Sequence, residues 1–169
     1  MIVVLGIFAF ISAVVMGNYA QFGKKTELKN LAYNIALTIR EAQVSGLTGR
    51  NIRGEGASTS YGVYFEKFKF VFFADQNTNH IYDTGEEKRI YKIPQGFKVS
   101  KLCYSYTGNC INTNNLTITF KRPEPDAYIY SGFRGPYPAA DIELLSPSGY
   151  KLHVIVESSG QISVQKQGL

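Results

Sequence analysis

The segment from Asp75 to Glu86, DQNTNHIYDTGE, carries the most chemically suggestive spacing in the chain. Asp75, Asn77, Asn79, Asp83 and Glu86 place side-chain oxygens at its first, third, fifth, ninth and twelfth positions, and Ile81 offers a backbone carbonyl at the seventh. That is the order in which an EF-hand-type loop wraps calcium. His80 stands where such a loop takes glycine for its sharp turn, and no flanking helix is expected. The competing reading is a polar hairpin whose Asx side chains bond their own backbone. The sequence leaves both open. Calcium held here would bind weakly, at about 0.1 to 1 mM, in the range of extracellular modules. No other cofactor is expected.

Catalysis has little to draw on. The two histidines are His80 and His153. His153 lies in KLHVIV, where a strand position, solvent-facing or satisfied in the core, is the favoured role. No GxSxG, HExxH or phosphate-cradling glycine loop occurs, and the cysteines have no histidine nearby in sequence. The chain is not expected to be an enzyme. Cys103 and Cys110 bracket YSYTGN, a turn-forming segment able to bring two strand ends together. A disulfide in an oxidising compartment is the favoured reading, and a pair of free thiols in a cytosolic hairpin is the other.

These groups must be positioned by the rest of the 169 residues, enough for an anchor and one modest domain. Residues 1–22 contain no charged side chain, and Ile2 to Met16 is solidly apolar. Ile2, Val3, Val4, Leu5, Ile7, Phe8, Phe10, Ile11, Val14 and Val15 are expected on a helix that crosses a membrane or lines a filament core. A cleaved signal peptide is disfavoured, because no basic residue precedes the run and no small-x-small site follows it. Leu28, Leu31, Ile35, Ile39 and Ala42 then recur at spacings of three and four, which predicts an amphipathic helix over 23–48 with one buried stripe. Residues 49–60 are rich in glycine and small polar residues and read as a flexible connector.

From Tyr61 the periodicity changes to that of strands. YGVYFE, FKFVFFA, KRIYKI, FKVSKLC, LTITFK, DAYIYSG, ADIELLS, YKLHVIVES and GQISVQK predict a β-rich head over 61–169. The proline-rich KRPEPDAY and FRGPYP are expected as loops at a sheet edge.

A greasy start, an amphipathic helix and a small β head resemble the layout of type IV pilin-like proteins. NLAYNIALTIREAQVSG, the DQNTNHIYDTGEE turn and the closing SSGQISV are similar to the minor pilin and pseudopilin branch of the GspH/FimT type. The resemblance implies an α+β pilin-like fold, with a long N-terminal helix, transmembrane and then amphipathic, packed on an antiparallel β-sheet head. It implies a structural subunit that initiates, caps or enters a type IV pilus or a type II secretion pseudopilus. Its partners would be other pilins, the inner membrane before assembly, and a prepilin peptidase acting on a leader upstream of Met1. The family's early glutamate would also lie upstream, since nothing acidic precedes Glu27.

Lys24 and Lys25, just past the apolar run, would by the positive-inside rule leave the head in the cytoplasm. The resemblance implies the opposite: a single-pass inner-membrane protein with an extracytoplasmic head, as the cysteines also suggest. The alternative function is an anchored extracellular binding module, for instance for DNA. The net charge of +5 permits anionic partners without demanding them. Lys98, Lys101, Lys121, Arg122 and Arg134 are the candidate phosphate contacts, with Tyr128, Tyr130 and Tyr137 near in sequence. A dispersed, solvated basic surface is the favoured reading of the same residues.

Overall fold

The structure, a computed structural model, describes residues 2–49 and 60–169, and for residues 14–22 the backbone alone. Helix α1 runs over Ile2–Thr48 and ends where Gly49 takes a left-handed φ of 57°, the conformation that commonly closes a helix. Ten strands follow: β1 Ser60–Phe65, β2 Lys69–Asp75, β3 Glu87–Lys92, β4 Lys98–Tyr106, β5 Asn109–Thr113, β6 Leu116–Phe120, β7 Ala127–Tyr130, β8 Ala139–Leu145, β9 Lys151–Glu157 and β10 Ile162–Gln165. The expected connector over 49–60 falls almost wholly outside the described residues, as do the side chains of Val14 and Val15.

The expectation of a membrane-spanning helix packed on a single sheet is corrected on two counts. The strands form two five-stranded antiparallel sheets, in the orders β3-β2-β1-β6-β7 and β10-β9-β8-β4-β5. Alternation of apolar residues tells which face of a strand is buried but not which strand lies beside it. The split arises because β4 pairs with β8, and β6 returns to pair with β1. The second count concerns length. Among the described residues no helix is long and apolar enough to cross a membrane. The apolar run from Ile2 to Met16 rises only about 22 Å at 1.5 Å per residue, short of a hydrocarbon core of about 30 Å.

The buried stripe of α1 lies where the periodicity put it. Leu28, Leu31, Ile35, Ile39 and Ala42 are all buried. They pack against β1 and β6 of the first sheet and β8, β9 and β10 of the second, so one helix serves both sheets. Opposite it stand Val63, Phe65, Phe72, Ile118, Phe120 and Ile129 from the first sheet, and Leu102, Ile142, Leu144, Val154 and Val156 from the second, in one continuous core. Each large aliphatic side chain taken from water there contributes about 1.5 to 3 kcal/mol. Gly46 lets the helix approach β6 closely, since a Cβ at that position would overlap the Phe120 carbonyl.

Candidate functional site

The Asp75–Glu86 segment begins at the last residue of β2 and leads into β3, and it folds back over the outer face of the first sheet. Asp75 is fully buried and accepts from Ser60 Oγ at 2.6 Å and from the backbone N–H groups of Asn79 (3.2 Å) and His80 (3.0 Å). Glu86, at the far end, accepts from the N–H of Gln76 at 2.9 Å and of Asp83 at 3.0 Å. The Asn77 and Asn79 amides both donate to Asp83 Oδ2 at 2.8 Å. Their own oxygens accept from the N–H of Asn79 and of Ile81. The residues expected to ligate calcium are thus gathered in one loop, with their side-chain oxygens turned to protein donors. Among the described residues no group of three or more His, Cys, Asp or Glu is placed to hold a metal ion.

His80 makes the sharp turn itself. Its φ is 64°, so an imidazole occupies the left-handed position for which an ion-wrapping loop uses glycine. Its ring then lies on Tyr128, 4.6 Å between centroids and 16° from parallel, with Tyr130 at 6.0 Å. Burial pulls the His80 pKa below the ordinary histidine value; the Asp75 carboxylate opposes this and Lys121 adds to it. Tyr82 covers the sheet beside it, stacked on Tyr64 at 4.9 Å and edge-on to Phe73 at 5.4 Å. The loop therefore seals the outer side of the first sheet, which is why Phe73, Thr117 and Thr119 are buried although they face away from the core. The sequence signal for this was the period-two pair Tyr128 and Tyr130, which shares one face of β7.

A second polar cluster went unforeseen. His153 on β9 is buried, with Nδ1 3.0 Å from Asp141 Oδ1 and Nε2 3.7 Å from Glu143 Oε2. Asp141 also accepts from the Leu169 N–H at 3.0 Å. Glu143 accepts from Ser100 Oγ at 2.6 Å and faces Lys151 Nζ at 3.1 Å. Burial alone would raise the Glu143 pKa, but the Ser100 hydrogen bond, Lys151 and His153 together hold it below the usual carboxylate value. Ser100 bonds the carboxylate rather than the imidazole, so these groups do not form an activated nucleophile. Register makes the cluster intelligible: Glu143 pairs with His153 across β8 and β9, and Asp141 shares the Glu143 face.

The candidate phosphate contacts are divided. Lys98 and Lys101 lie on β4 in the second sheet, whereas Lys121, Arg122 and Arg134 flank β6 and β7 in the first. Cys103 on β4 and Cys110 on β5 are joined by a disulfide across the hairpin that their spacing predicted. At the other end of the molecule Ile2, Val3, Val4, Leu5, Ile7, Phe8, Phe10 and Ile11 are exposed along α1, Ile2 at 87% and Phe8 and Phe10 at 72%. Comparison with family models, with characterised proteins and with solved structures gave no match.

Proposed function

We propose that this chain is a structural subunit of a pilin-type filament, in which the first turns of α1 are buried against the helices of neighbouring subunits. The observation that carries the reading is the exposed apolar arm from Ile2 to Ile11, continuous with a helix whose later turns are locked into the head. Monomeric soluble proteins rarely leave so large a contiguous apolar surface in water. Association with like helices removes it at about 25 cal/mol per Å². The disulfide supports placing the head outside the cytoplasm. A photo-crosslinker replacing Phe8 in cells is expected to capture pilin-like subunits. Capture of none, with the protein present and folded, would overturn the reading.

A DNA-binding surface is the second reading. Lys121 lies near enough to His80 to affect its titration, and His80 stacks on Tyr128, which sets a cation beside an aromatic face. Fluorescence anisotropy with a labelled oligonucleotide tests it, and unchanged binding in Lys121→Gln and Arg134→Gln would dismiss it.

A further inference from the structure

Where the two sheets meet, a cleft of about 290 Å³ opens between the β1–β2 turn and the β4–β5 hairpin. Its ionisable lining residues are both cations, Lys67 and Lys101, and Ser100, Asn112, Thr113 and Asn114 supply its polar wall. The turn is fixed against the hairpin, because Val99 N–H donates to the Lys67 carbonyl at 3.1 Å. A register shift between Val99 and Lys101 places a bulge at Ser100, a feature that re-aims neighbouring side chains. The nearby carboxylates are already paired with cations: Glu143, which accepts from Ser100 at the cleft wall, faces Lys151 and His153, and Glu66 faces Lys69. The Lys67 ammonium lies over the Phe68 ring, 5.4 Å from its centroid.

We infer that this cleft binds an oxyanion, the phosphoryl, sulfate or carboxylate group of a ligand, held between Lys67 and Lys101 and oriented by the amides of Asn112 and Asn114. Two like charges in one concave site repel each other until an anion lies between them. The anion gains from both, and the concave walls strengthen the field it meets. Lysine ammonium groups with neutral amide donors suit a tetrahedral or planar oxyanion alike. The inference does not depend on the filament reading, since it concerns the head alone.

The test is an amide NMR titration of the full chain with inorganic phosphate, sulfate and acetate in turn, against chloride at matched ionic strength. Saturable shifts are expected at residues 99–102 and 112–114. Lys67→Gln and Lys101→Gln should each weaken binding about tenfold, the scale of one charge-assisted contact, while Lys92→Gln leaves it unchanged. A preference for phosphate and sulfate assigns a tetrahedral group, and a preference for acetate assigns a carboxylate. Non-saturating shifts spread over lysines around the surface, or full affinity in both cleft variants, would overturn the proposal.

Discussion

The side-chain amide of Gln43 on α1 donates to the carbonyl of Gly160, in the β9–β10 turn, at 3.1 Å. The same amide nitrogen donates to the Pro125 carbonyl in the β6–β7 connection at 2.9 Å, and Gln43 Oε1 accepts from Arg40 at 2.5 Å. One buried side chain therefore ties the helix to a loop of each sheet. Gln43→Ala leaves two carbonyls without their donor and is expected to destabilise the fold by about 2 to 4 kcal/mol, at roughly 1 to 2 per orphaned group. Urea denaturation followed by circular dichroism reads this as a lower midpoint at unchanged slope.

Gly46→Ala sets two effects against each other. Alanine favours the helix by about 1 kcal/mol. The new methyl group would overlap the Phe120 carbonyl, a backbone atom held in the sheet. Overpacking of that kind costs about 1 to 3 kcal/mol. The clash is expected to win, and the melting temperature should fall rather than rise.

Removing the disulfide should cost stability without changing the fold. The bridge spans a sequence separation of 7. In the chain-entropy account a loop that short gives about 2.5 kcal/mol. Cys103→Ser with Cys110→Ser is expected to lower the unfolding free energy by that amount, and reduction of the native protein should match the double variant.

Acid should loosen the Asp75–Glu86 loop before it loosens the second sheet. His80 titrates below its ordinary value in the fold, chiefly because it is buried. The neutral form is thus the one the native state prefers. Its contribution is complete above about 6.5, the unfolded histidine value, and is lost as the pH falls through the lower folded value. Glu143, also depressed, acts further down: its contribution is present above the usual carboxylate range and disappears as the pH drops through its folded value. His80→Asn, which tolerates the left-handed backbone, should lower stability at pH 7 yet flatten its slope between pH 7 and 5. An undiminished slope in that variant would assign the effect to other groups.

How much of this was legible in the chain varies with the range of the interaction. The stripe Leu28, Leu31, Ile35, Ile39 followed from spacing alone, because a helix repeats every 3.6 residues whatever it packs on. The Cys103–Cys110 hairpin was equally local. The division into two sheets was not legible, since the pairing of β4 with β8 joins segments about 40 residues apart that alternate like any others. The shortness of the apolar run was legible as well: Gly17, Asn18 and Gln21 soften its far end, where a span would still need hydrophobic residues, and this made the expected span marginal. At the loop, oxygen spacing drew attention to metal ligands, while the stacking of His80 on Tyr128 depended on a strand nearly fifty positions away. The Asp141–His153–Glu143 cluster was hidden for the same reason: neighbours across a sheet are not neighbours in the chain.

Because α1 is one uninterrupted rod wedged against both sheets, a tug on its exposed end would not be absorbed by a hinge at the head. The load would pass along the buried stripe and be shared by the five strands it packs on, through Leu28, Ile35, Ile39 and the Gln43 tether, a shear geometry in which many contacts must yield together.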